Sequence, residues 1–196
     1  MTQPTPQLLK IAGLCSILAP ILILGIDIYF LATSRMFEWS IGMWLAFVLF
    51  VPAVIGLTYH LVSQGSRLAL VGGIFAFLGA MAGASMQAMF RTHAVLLEQG
   101  AVDTVERLRG TLKLVASTQM IGLTWPIGLI LLSIAIILVD RTRWLTSLLL
   151  VAGAIAFPIG RVAGSQPAVI LSGIFFVLAF GMIGRELLHQ ARALRF

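Results

Sequence analysis

LALVGGIFAFLGAMAGASMQAMF, residues 68–90, carries the pattern that decides the fold. It is an apolar run as long as the roughly 20 residues a helix needs to cross a hydrocarbon core of about 30 Å. Within it Gly72, Ala76, Ala80, Ala84 and Ala88 recur at every fourth position, and Gly79 and Gly83 form a G-x-x-x-G beside them. Small side chains at that spacing let helix backbones approach closely, which drives association where lipid removes the hydrophobic incentive. The segment reads as a central transmembrane helix whose small face packs inside its own bundle; a homodimer seam is the competing use of the same face.

Outward from this segment the chain repeats the theme at residues 11–31, 41–62, 114–139, 144–159 and 168–183. Of its 196 residues 60% are hydrophobic and only 10% charged, well under the roughly 25% charged of soluble domains. The expectation is an all-α membrane protein, one domain over residues 1–196, built as a six-transmembrane-helix bundle. Pro20, Pro52, Pro126 and Pro158 fall inside the expected spans, where a missing backbone donor tends to kink a helix. The only long connection is 91–113. There Asp103 and Glu106 form a cap-like pair, and Val105, Leu108 and Leu112 an apolar edge, so a short interfacial amphipathic helix is expected between the third and fourth spans. Cys15 is the single cysteine, which excludes an internal disulfide and any multi-cysteine metal site.

Orientation follows from the basic residues. One side of the six-span arrangement collects Lys10, Arg67, Arg141, Arg143, Arg185, Arg192 and Arg195, and the other Arg35, Arg91, Arg107, Arg109, Lys113 and Arg161. The counts are close, but Arg141 and Arg143 crowd a very short loop, where the positive-inside bias counts most. Both termini are therefore expected in the cytoplasm, the membrane being a bacterial cytoplasmic (inner) membrane. The formal charge of +6 then belongs to helix ends, where long basic side chains snorkel to the interface, and points to membrane lipid rather than nucleic acid as the partner. Trp39, Trp44 and Trp144 read as interfacial belt residues, whereas Trp125 lies deeper in its span.

Asp27 is the sharpest chemical signal, lying inside the first span about four residues, or roughly 6 Å, from its outer end. A carboxylate there is expensive and faces a partner or a water-filled cavity; Arg161, at the outer end of the fifth span, is the expected partner. Ser85 and Gln87 on the third span and Ser117, Thr118 and Gln119 on the fourth fall near the same level, with Arg91 and His93 just above. Asp27, Ser85, Gln87, Arg91, His93, Thr118, Gln119 and Arg161 thus outline a polar pocket in the outer half, suited to a small or lipophilic ligand. A structural ion pair, with hydroxyls and amides bonded to neighbouring helices, would leave the same residues in place.

Met86, Met89 and His93 share one helix face at i, i+3 and i+7, a soft donor set compatible with copper(I), although methionine is also a common gap filler. His60 and His93 lie too far apart in depth to clamp one haem; His189, on the same side as His60, could face it. The sequence holds no Walker loop, no H-E-x-x-H, no G-x-S-x-G and no paired carboxylates within a span, which favours a role other than catalysis. Three functions stay open: binding or transport of a small or lipophilic ligand, a structural or accessory subunit of a membrane complex or homo-oligomer, and a haem or copper redox protein. The cofactor is undetermined.

Overall fold

The computed structural model describes residues 5–110 and 122–194, with the backbone alone for 108–110. The order is α1 (Pro6–Thr33), α2 (Met36–Ser63), α3 (Arg67–Glu98), α4 (Val102–Gly110), α5 (Thr124–Val139), a 3-10 turn (Arg141–Arg143), α6 (Trp144–Arg161) and α7 (Gln166–Ala193), with no strand among the described residues. Among the described residues five helices are long and apolar enough to cross a membrane: α1, α2, α3, α6 with its preceding turn, and α7. α5 is a shorter apolar helix; residues 114–121 of the expected fourth span, Ser117, Thr118 and Gln119 among them, lie outside the described residues. This is the construction of an integral membrane helical bundle.

The reversals between helices have local causes. Gly65 and Gly100 adopt the left-handed conformation, with φ of 93° and 75°, and each closes a helix. The amides of Gly65 and Ser66 bond the carbonyls of Val62 and Leu61, and those of Gly100 and Ala101 bond Leu97 and Leu96, which satisfies carbonyls the helix end leaves open. Ser66 then starts α3 at once, its hydroxyl accepting from the Ala69 amide at 3.3 Å. α3 runs to Glu98, eight residues past the expected end at 90, because nothing from Arg91 to Gln99 breaks a helix. Pro126 falls in the first turn of α5, where the missing amide leaves no broken bond.

The six long helices close a ring: α1 on α2, α2 on α3, α3 on α5, α5 on α6, α6 on α7, and α7 back on α1. Neighbours run antiparallel. Gly56 meets Ala12 while Gly42 meets Ile26, and Gly13 meets Leu188 while Gly173 meets Leu24. Small residues set the spacing. A Cβ on Gly79 would strike the backbone of Trp125, one on Gly128 the backbone of Ala76, and those on Gly13 and Gly184 each other's carbonyl oxygens. The expected small face of α3 is buried at Gly72, Ala76, Gly79, Ala80, Gly83 and Ala84, and ends there; Ala88 is exposed.

A ring of six helices leaves axial space that small residues cannot fill, and aromatic side chains occupy it. Trp125, Phe50, Phe176 and Phe180 are all fully buried. Phe50 stands edge-on to Trp125 and to Phe180, with centroids 4.9 and 5.0 Å apart, the geometry that ring quadrupoles favour. Leu18, Leu70, Ile74, Leu148 and Ile155 point outward, each about half exposed, as side chains bathed in lipid tails would. α4 packs on α3 with Val105 buried and Asp103, Glu106 and Arg107 exposed.

A candidate ligand site beside the Asp27–Arg161 pair

Asp27 continues the inward-facing line of α1, after Ser16, Ala19, Pro20 and Ile23, and is 2% exposed. Arg161, the last residue of α6, meets it as the sequence anticipates: Nη2 lies 2.6 Å from Asp27 Oδ2. The other carboxylate oxygen accepts a 3.0 Å hydrogen bond from Trp39 Nε1 on α2. Three helices are thereby tied through one carboxylate. The guanidinium carbon of Arg161 lies 4.9 Å from the Phe157 ring centroid and 5.9 Å from that of Trp39, and its Nη2 lies 3.8 Å from Met43 Sδ. Trp39 in turn packs on Phe30 and Phe90, at 5.2 and 5.9 Å. A charge this far from water is tolerable because it is neutralised, hydrogen-bonded and faced by aromatic rings at once.

Next to the pair lies a cavity of about 200 Å³ between α2, α3, α5 and α6. Phe47, Met86, Phe90 and Phe157 form apolar wall. Gly79 and Gly83 open the α3 side, where a Cβ on Gly83 would strike the Phe47 ring. Polar groups reach the lining from Arg161, Gln87 and Trp125. Gln87 is 2% exposed and Trp125 1%, yet neither the Gln87 Oε1 acceptor nor the Trp125 Nε1 donor has a hydrogen-bond partner among the described residues. Leaving such a group unmade costs about 1–3 kcal/mol; both atoms are closed off from the cavity as well as from water, so that cost is carried in the packing behind its wall.

Of the residues expected here, Gln87 and Arg161 line the cavity, and Asp27 joins it through its bond to Arg161. Ser85 is on the exposed side of α3, its hydroxyl donating to the Met81 carbonyl at 2.9 Å. Arg91 lies over the Trp44 ring, 5.6 Å from its centroid, and does not line the cavity. Met86 does, whereas Met89 is half-buried and His93 buried elsewhere on α3. Thr118 and Gln119 are outside the described residues. Among the described residues no three of His, Cys, Asp and Glu gather as a metal site. The sequence leaves Trp39, Phe47 and Phe157 unflagged for this place.

At the other end of the ring a second cavity, about 190 Å³, is lined by His60, Thr142, Arg143, Thr146 and Glu186. Here each of these polar side chains has at least one partner. Arg143 spans Asp140 at 2.9 Å and Glu186 at 3.1 Å; Gln190 bonds Glu186 at 2.9 Å and sits 3.2 Å from His60 Nε2; and Thr146 meets the Met182 sulfur. Gln190, not His189, therefore faces His60, and His189 lines an outer depression with Arg185 and Arg192. The Asp140 carboxyl is held below its ordinary value, chiefly by the hydroxyl and amide of Thr142 and further by Arg143.

No protein-family model, curated protein or solved structure matches the chain.

Proposed function

We propose that the protein binds a small lipophilic molecule in the cavity beside the Asp27–Arg161 pair, as a membrane binding protein or transporter. In this reading α5 marks the sixth span, both termini face the cytoplasm across a bacterial cytoplasmic membrane, and the cavity lies in the outer half. The supporting observation is the cavity: about 200 Å³ between four helices, walled mostly by apolar and aromatic side chains, with Arg161 and Gln87 among the few polar residues lining it. Ligand pockets combine apolar lining with few polar groups of this kind. Asp27, Arg161 and Trp39 would hold α1, α2 and α6 in register around it and keep the wall electrically neutral.

Ala82 lines the cavity, and Ala82→Phe should fill it. Native mass spectrometry of protein released from mild detergent should show a bound small molecule on the wild type that the variant lacks, both melting cooperatively. Wild-type protein that carries nothing, and takes up no lipophilic compound offered to it, would overturn the reading in favour of a structural subunit.

A further inference from the structure

At the end of the ring opposite Asp27, the outer surface of α7 changes character along a single face. Leu171, Ile174 and Leu178 follow one another at three- and four-residue steps and are between 39% and 48% exposed; the same stepping continues through Gly181 to Arg185 and Arg192. Apolar side chains thus give way to two guanidiniums over the last turns of the helix. Arg185, His189 and Arg192 are all exposed, and they line an open depression of about 920 Å³ beside α1, whose apolar part comes from Ile17, Gly181, Met182 and Leu188. Gly13 and Gly184, in the same α1–α7 contact, have no room for a Cβ, whereas one on Gly181 would meet nothing within 4 Å. The space at Gly181 is therefore left open by the packing.

The charge of this surface is one-sided. Lys10 is exposed and lies seven residues before Ile17, on the same face of α1; the contact of Gly13 with Leu188 brings it to about the level of Arg192. Glu186 is the one acid in the lining, and its carboxylate is already bonded by Arg143 at 3.1 Å and Gln190 at 2.9 Å. Among the described residues neither Arg185 nor Arg192 has an ion-pair partner. Guanidiniums pair strongly with phosphate oxygens, and basic pockets between membrane helices suit lipid headgroups. A soluble anion would use only the basic half of the depression, while a lipid uses the apolar half as well.

We infer that this depression binds an anionic phospholipid. Arg185 and Arg192 hold the headgroup phosphate with Lys10 and His189 beside it, and an acyl chain runs past Ile17 and Gly181 towards Leu178. The site is separate from the cavity beside Asp27 and stands or falls without it.

Diffuse attraction of anionic lipid to any basic helix end is the competing account. Arg67 and Arg141 supply the control, being exposed at the same end of the bundle and outside the depression. Protein in mild detergent is mixed with equal amounts of dioleoyl phosphatidylglycerol and dioleoyl phosphatidylcholine, and the lipid retained is read by native mass spectrometry. Wild-type protein should retain the glycerol lipid in preference. The ratio should fall about tenfold in Arg185→Gln/Arg192→Gln, the order expected for two basic groups lost from a lipid surface, and stay near the wild-type value in Arg67→Gln/Arg141→Gln. Gly181→Leu, which fills the open space, should retain less of the glycerol lipid while melting no lower than wild type. No preference in the wild type, or an equal fall in the two double variants, would overturn the site. Undiminished retention in Gly181→Leu, or displacement of the lipid by glycerol 3-phosphate at comparable concentration, would show that the depression takes a phosphate without its chains and would overturn the assignment to a lipid.

Discussion

Asp27 uses both carboxylate oxygens, one on Arg161 and one on Trp39, and that asymmetry makes its replacement predictable. Arg161→Gln strands a carboxylate that is 2% exposed, and breaking a buried pair from one side typically costs about 3–5 kcal/mol. Asp27→Asn should cost less. The amide oxygen can still accept from Trp39, and the remaining cation keeps the faces of Phe157 and Trp39. The double variant should melt above Arg161→Gln, a coupling that thermal unfolding of all four proteins in detergent would measure; additive losses would mean the pair contributes nothing jointly. This pairing was legible in the sequence because a charge inside a span demands a partner, and Arg161 is the basic residue at the matching depth. Trp39 was not, since a tryptophan at a span end is ordinarily a belt residue whose N–H meets water. Ser85 misled for a different reason. A serine in a helix can satisfy itself on the carbonyl four residues back, as it does with Met81, so its polarity says nothing about which way it points.

At the level of elements, the small face of α3 is the part of the sequence that translated most directly into packing, because only small residues permit the approach to α5 and α2 found there. Gly79→Leu should be the most damaging enlargement on this helix, since its first added carbon meets the backbone of Trp125, which cannot rotate away. Gly83→Leu meets the Phe47 ring and Ala80→Leu a fully buried site; overpacking of this kind costs about 1–3 kcal/mol, occasionally more. Leu78→Phe, at 45% exposure, should leave the melting temperature nearly unchanged. Similar losses at all four positions would show that the stripe is not an interface. The extension of α3 to Glu98 was less legible, because hydropathy marks where apolar residues stop and a helix stops only where its backbone is broken or capped, here at Gly100. The turn before α6 gives an acid-sensitive contact. Asp140 has a lowered carboxyl pKa in the folded protein, so its stabilisation is present above the ordinary carboxylate range and fades as pH falls through the lowered value. Asp140→Asn should accordingly lower the melting temperature at neutral pH, with the difference from wild type shrinking under acid; a difference independent of pH would assign the effect to capping geometry and not to charge.

For the whole molecule, ring closure constrains the number of crossings more tightly than hydropathy does. α7 returns to α1 in antiparallel contact, Gly13 against Gly184 and Leu24 against Gly173, so the start of α1 and the end of α7 share one end of the bundle. α5 runs antiparallel to α3, with Gly72 beside Leu132 and Gly79 beside Trp125. It joins α6 through reciprocal bonds between the Ser133 and Ser147 hydroxyls and backbone carbonyls, at 2.8 and 3.0 Å. A chain that failed to cross along α5 could not bring Arg143 to Glu186 at one end and Gly160 to Val169 towards the other. Six crossings, the number expected from the sequence, are the proposed arrangement of this ring in a bilayer; which helices are neighbours is what the sequence, giving lengths alone, could not supply. In the proposed orientation the end bearing Arg67, Arg141, Arg143, Arg185 and Arg192 faces inside, and Gly100, beyond the far end of α3, faces outside. Topology reporters fused after the C-terminus and inserted at Gly100 should therefore read cytoplasmic and external respectively. The same side for both would break the six-crossing arrangement. The reverse assignment would keep the ring but turn it over, placing the Gln87 cavity in the cytoplasmic leaflet, where a lipophilic ligand would have to enter from the cell interior.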